Sequence, residues 1–314
     1  MPPELRALAS RLLADVPESM LSWTCLKEHS KSATVWRATG PAGQLVFKRH
    51  RHPRPFQQEL RAYRDWLPAV AAHLSLGTSR SEEPKDREKE LSPGPRSLAG
   101  AVRVPALLAC DPAARVLALT AAPGERLSLG THDPALAPVA HAAAGRFLRA
   151  LHELPVADDD PMPLVDAVAA RLAEWHARAR GLLSPGERDG LQRLAARRDA
   201  FAGVRRVPCH RDFTPDNWLL AGADLHVLDF EHARLDAPEA DLVKLRAEVW
   251  FDRPDLAEAF LAAHGPLTTD AAARLDVLLA LHAAATLAWA ERHADPAFHA
   301  LGRRALAVAL AHVS

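Results

Sequence analysis

Between Val207 and Glu231 the chain carries three apolar runs too short for helices, set in a half otherwise rich in the helix formers Ala and Leu. These runs, residues 207–209, 218–220 and 225–228, are separated by polar loops and read as short strands. The first strand ends at His210, the next loop presents Asp212 and Asn217, and a later strand ends at Asp229. Strand ends facing one cleft would thus hold two carboxylates and an amide oxygen. A carboxylate base and hard oxygen ligands of the kind magnesium takes are what phosphoryl transfer to a hydroxyl requires. The fold must therefore seat a small β island among helices, beside a cleft.

The first half has a different texture. A short helix is predicted over 2–15, with Leu5, Leu8, Leu12 and Leu13 as its apolar side. Strands follow at 21–26, 34–38 and 45–49, with Gly40-Pro41-Ala42-Gly43 turning between the last two. A helix over 56–74 starts after Pro53 and Pro55, and two more strands come at 102–109 and 115–120. Residues 77–100 are rich in Ser, Pro, Glu, Lys and Arg and read as a polar surface insertion. Loop closure costs only about 0.6 kcal/mol per doubling of length, so a fold tolerates such an insert. Beyond Pro123-Gly124 helices are predicted at 134–152, 164–180, 185–202, 237–250, 255–264, 269–293 and 296–311. The expected fold class is α+β and bilobal. Residues 1–122 form a small five-stranded antiparallel lobe with one inserted helix; residues 123–314 form a larger, mainly helical lobe.

Composition narrows the function. Formal net charge is zero, so no long-range field draws the chain to nucleic acid or an anionic membrane, and neither is expected as a partner. Cys25, Cys110 and Cys209 are far apart in apolar runs, without disulfide or metal-clip spacing. The apolar stretch 277–290 is too short to span a bilayer and contains His282, and residues 1–6 show no leader pattern; a cytoplasmic setting is expected. His176, His264, His282 and His293 are scattered along helices without ligand spacing. Trp36, Trp66, Trp175, Trp250 and Trp289 read as packing residues, with Trp250 and Phe251 also candidates for an acceptor pocket.

The order His210-Arg211-Asp212, Asn217, a strand, then Asp229-Phe230-Glu231 resembles the aminoglycoside phosphotransferase and choline kinase group, relatives of the protein kinases. The resemblance implies that Asp212 accepts the proton of the attacking hydroxyl. It implies that Asn217 and Asp229 hold Mg²⁺, and that His210 braces the loop. Glu231 stands where protein kinases have glycine. Lys48, in Val46-Phe47-Lys48-Arg49, matches the lysine that binds the α- and β-phosphates, and Glu59 its ion-pair partner. Thr120-Ala121-Ala122-Pro123-Gly124 matches the hinge, whose backbone around Ala122 would bond the base of ATP or GTP. Residues 144–152, ending Leu148-Arg149-Ala150-Leu151-His152, resemble the helix packed behind the catalytic loop, and Asp241 the aspartate that steadies it. One departure stands out. The turn at 29–34 that should cover the phosphates contains no glycine, leaving Ser30, Ser32 and Ala33 as candidate phosphate contacts or as an ordinary polar turn.

Only eleven residues, 230–240, separate Asp229 from Asp241, and no Ala-Pro-Glu sequence follows. That is too short for a peptide-binding activation segment, so the expected acceptor is a small hydroxyl compound. Acids among residues 248–295 (Glu248, Asp252, Asp255, Glu258, Asp270, Asp276, Glu291, Asp295) are largely offset by Arg246, Arg253, Arg274, Arg292, Arg303 and Arg304, so a polycation is not singled out. An antibiotic acceptor, phosphorylated in self-resistance, leads this reading. A housekeeping sugar or amino-alcohol kinase and a nucleotide-binding pseudokinase are the alternatives, and the chain is expected to be a monomer or homodimer.

Overall fold

A computed structural model describes residues 3–12, 16–27, 32–41, 43–79 and 100–311. Helix α1 (Pro3–Leu12) precedes three antiparallel strands, β1 (Ser22–Lys27), β2 (Ala33–Gly40) and β3 (Gly43–His50). A helix then runs as α2 (Pro53–Arg61), a π turn (Ala62–Trp66) and α3 (Leu67–Ser79). It extends past the predicted end at 74 and takes in the first residues of the polar insertion; residues 80–99 lie outside the described residues.

The strand expected at 102–109 is two strands in two sheets. Pro105 has no amide to donate and restricts Val104 before it, so the ladder breaks there. β4 (Val102–Arg103) pairs in parallel with β10 (Asp224–Val227), whereas β5 (Leu107–Asp111) pairs with β6 (Val116–Thr120). The five-stranded antiparallel sheet has the order β1-β2-β3-β6-β5. Its period of two sends Ala38, Phe47, Val116 and Ala118 to one face, covered by Leu5, Leu8 and Ala9 of α1. Residues of opposite parity, including Val35, Val46 and Lys48, occupy the other face.

A second sheet, in the order β4-β10-β9-β7, is built from β7 (Glu125–Arg126), β9 (Trp218–Ala221) and the pair β4 and β10. Contacts divide the chain into residues 1–150 with 215–234, and 151–214 with 235–314. The strands of the catalytic island hydrogen-bond to segments from the first half, and that pairing sets the division. α4 (Leu136–His152) begins in the first unit.

The second unit is helical: α5 (Leu164–Ala179), α6 (Pro185–Ala195), a short helix α7 (Val243–Leu245) followed by a π turn (Arg246–Trp250), α8 (Pro254–His264), α9 (Thr269–His293) and α10 (Pro296–Leu310). Strands β8 (Val207–Cys209) and β11 (Arg234–Asp236) pair beside them. α9 is 25 residues long, with a mean hydropathy of 1.4 over its most apolar window, enough by length and composition to cross a bilayer. It is instead apolar on every side because it is the core of this unit, with Leu275, Leu279, Ala283 and Leu287 among its buried residues. Gly302 of α10 lets that helix approach closely: a Cβ there would sit 2.9 Å from the Leu287 side chain.

Candidate active site

The site in the first unit is built around one amine. Lys48, on the face of β3 turned away from α1, is 5% exposed. Its Nζ lies 2.6 Å from Asp229 Oδ1, 2.7 Å from Glu59 Oε2 and 3.2 Å from Glu231 Oε2. Glu59 comes from α2, where it is buried and also meets His50 Nε2 at 2.8 Å. Period two again explains the pairing, because Lys48 and His50 share a strand face. Burial alone would lower the Lys48 pKa, but Asp229, Glu59 and Glu231 outweigh it and hold the ammonium well above its ordinary value. Burial would likewise raise Glu59; Lys48 and His50 overcome it and keep the carboxyl below its usual range.

Asp229 has a φ of 66°, in the left-handed region, which costs an L-residue roughly 1 kcal/mol and which aspartate accepts better than most. The bend aims its carboxylate at Lys48 while the following amide, Phe230 N–H, donates to Glu59 Oε1 at 3.2 Å. The Phe230 ring then packs on Tyr63 and Phe147, with centroids 5.5 and 6.2 Å away. Tyr63 stands on the π turn between α2 and α3; burial, reinforced by Glu59, raises its phenol well above the usual value, so it stays protonated.

Lys48, Glu59 and Asp229 open onto a cavity of about 290 Å³. Its lining combines the apolar Val35, Val46, Leu119, Leu219 and Leu228 with polar and charged groups that include Arg37, Lys48, Asn217 and Asp229. A lining of both kinds suits a ligand with a flat base and phosphates. Thr120, Ala121, Ala122 and Gly124 form part of the rim. Gly124, at φ 99°, is needed where this segment runs against β9, since a Cβ there would lie 2.4 Å from the Leu220 carbonyl oxygen. Asn217 closes a short 3-10 turn, and its carbonyl accepts from Leu228 N–H at 2.9 Å, which sets it beside the end of β10. An amide oxygen and a carboxylate on one wall are hard donors and fit a magnesium ion.

The phosphate contacts expected at 30–33 fare differently. Ser30 lies outside the described residues. Ser32 spends its carbonyl on Arg51 N–H, and Ala33 is buried in β2 opposite His50; neither lines the cavity.

Asp212 belongs to the second unit, on a loop held by Asp241. The Asp241 carboxylate, 1% exposed, accepts from His210 N–H at 2.9 Å, from Arg211 N–H, and contacts His152 Nε2 at 3.0 Å. Burial would raise its pKa, yet these hydrogen bonds and the nearby histidines bring it below the ordinary value. Arg211 takes a φ of 68°, so successive amides converge on one carboxylate. His210 Nδ1 accepts from Asp212 N–H at 3.2 Å, and its ring meets Phe213 edge-on at 5.5 Å. Asp236 is fixed by Arg171 Nη1 at 3.0 Å, and Glu239 by Arg274 Nη2 at 2.6 Å. Lys244 donates to Asp212 Oδ1.

Trp250 is buried against Phe260, and Phe251 is 55% exposed beneath Arg304. A groove of about 320 Å³ near His176, Arg180 and Arg188 contains none of the catalytic, nucleotide or metal residues expected from the sequence. Sequence reasoning missed the contributions of Glu231, His50, Tyr63 and Lys244. The period-two spacing of Lys48 and His50 offered a hint for one of them; the others carry no local signal.

Residues 26–278 match the model of the phosphotransferase enzyme family. The chain belongs to that family. This phosphotransferase has the mixed α+β, protein-kinase-like fold of solved relatives. One is the GDP and kanamycin complex of the aminoglycoside phosphotransferase APH(2")-IIIa, at 14% identity and a TM-score of 0.65, covering 99% of both chains. Another is the apoenzyme of the macrolide 2'-phosphotransferase MphH from Brachybacterium faecium, at 19% identity and 0.58, covering 97% of this chain and 98% of that one. A third is the streptomycin–ATP complex of APH(2")-IIa, at 12% identity and 0.57, covering 98% and 96%. No curated protein matches the chain.

Proposed function

We propose that this phosphotransferase moves the γ-phosphoryl group of ATP or GTP to a hydroxyl of an antibiotic, inactivating it in the cytoplasm of the producing or resistant cell. The observation that carries the reading is the buried Lys48 ammonium on the lining of the cavity, held by Asp229, Glu59 and Glu231. In it, Lys48 binds the α- and β-phosphates and the backbone at Thr120–Ala122 receives the base. Asn217 and Asp229 are the residues that would hold magnesium, which when bound neutralises phosphate charge. Asp212 takes the proton from the acceptor hydroxyl as its oxygen bonds to the γ-phosphorus. The bond from phosphorus to the bridging oxygen breaks, and its electron pair leaves with the nucleoside diphosphate. His210 and Asp241 keep the loop that carries Asp212 in shape.

The antibiotic acceptor draws support from the kanamycin, streptomycin and macrolide named for the similar structures. The test is mass spectrometry of a panel incubated with Mg·ATP and Mg·GTP: kanamycin, streptomycin, a macrolide, and sugar and amino-alcohol metabolites. A phosphate added to an antibiotic supports the proposal. Phosphate added only to a metabolite replaces it with the housekeeping reading, and none on any compound with either donor removes it.

A further inference from the structure

Resting on the role proposed for Asp212, we infer that Lys244 is a positioning residue for the base. Asp241 and Lys244 lie one helical turn apart and address the same loop: Asp241 accepts its backbone amides at 210 and 211, while Lys244 grips the side chain of Asp212. The loop from His210 to Asn217 has Arg211 as its one permanent cation, and Arg211 turns to Asp236, with Nε 3.5 Å from Oδ2. His282 is the other basic group of this unit near the pair. Burial first, then Lys244 and Arg211, depress its pKa to about 3, so it is neutral at working pH. Lys244 thus brings a cation of the second unit onto Asp212.

A carboxylate on a loop with a left-handed residue beside it is not oriented by regular secondary structure. An ammonium donating to Oδ1 restrains its rotation. As the acceptor oxygen bonds to phosphorus, the O–H proton goes to the Asp212 carboxylate. The electron pair of the broken phosphorus–oxygen bond leaves with the nucleoside diphosphate, and Lys244 keeps its own proton throughout. The sequence motif does not announce this partner, because it lies 32 residues downstream.

The experiment is steady-state kinetics of Lys244→Met, Lys244→Gln and Lys244→Arg. It uses Mg·ATP or Mg·GTP with the best acceptor of the panel, and with water as acceptor. Lys244→Met and Lys244→Gln are expected to lower kcat by roughly 10- to 100-fold, while the nucleotide KM stays within about twofold, since only orientation of the base is lost. Lys244→Arg should recover most of the loss, which a purely structural role would not require. The two neutral variants guard against a folding defect in either, checked by thermal melting. A kcat within about twofold of wild type in a folded neutral variant overturns the inference, as does an arginine variant no better than methionine. An inactive wild type removes the reaction itself, whereas an active wild type with an unaffected Lys244→Met removes only the role of Lys244.

Discussion

Two lysine–aspartate pairs define this protein, and they are built oppositely. The aspartates are equally exposed, 24% each, but Lys48 is 7% exposed in its side chain and Lys244 is 33%. Lys48 is surrounded by three carboxylates, and a buried cation needs that degree of pairing to offset its lost hydration. Lys244 keeps contact with solvent, so its pairing with Asp212 adds little net stability. The first pair is a fixture around which α2, β3 and the end of β10 are assembled; the second is a solvent-touched contact on the side chain of Asp212.

The largest effect should come from the second pair's aspartate. Asp212→Ala is expected to lower turnover by roughly 10²–10⁴-fold while nucleotide binding survives, because it removes the proton acceptor alone. Wild-type turnover in that variant would erase the functional half of the contrast. Next, Lys48→Met should lower stability by about 3–5 kcal/mol in denaturant titration, since it leaves Glu59 and Glu231 buried without their cation. A small loss would mean that the cluster is not a fixture.

Acid should act more gradually. Glu59 and Asp241 have folded-state pKa values below their ordinary 4.5 and 3.8. The stability they add is whole above those ordinary values and is lost as pH falls through the folded ones. Melting temperature should therefore decline below about pH 5, and Asp241→Asn should flatten that slope. An unchanged slope in the variant would place the acid sensitivity elsewhere. The smallest effect is expected for the stability of Lys244→Met, under about 1 kcal/mol, as for most solvent-touched pairs. A loss approaching that of Lys48→Met would dissolve the distinction between the two lysines.

Much of this could be read before any coordinates. Alternation through residues 33–50 placed β2 and β3, and Pro and Gly marked their ends. α9 was placed at its observed bounds by composition, and the structure adds the Thr268 cap, whose hydroxyl accepts from Ala271 N–H. What went unread had non-local causes. Residues 102–109 look like one strand until β10 claims the first part and β6 the second.

The chain's order of residues by itself determined the β island within a helical half, the base and hard oxygens on its loops, and a lysine at the end of the third strand. Local spacing carries these, because strand parity and turn residues act over a few positions. Only the tertiary structure decided that Asp229, 181 residues away, reaches Lys48, that Glu231 adds a third carboxylate, and that Lys244 holds Asp212. Such pairings depend on where a folded backbone returns in space, and nothing in the periodicity of either segment encodes the meeting.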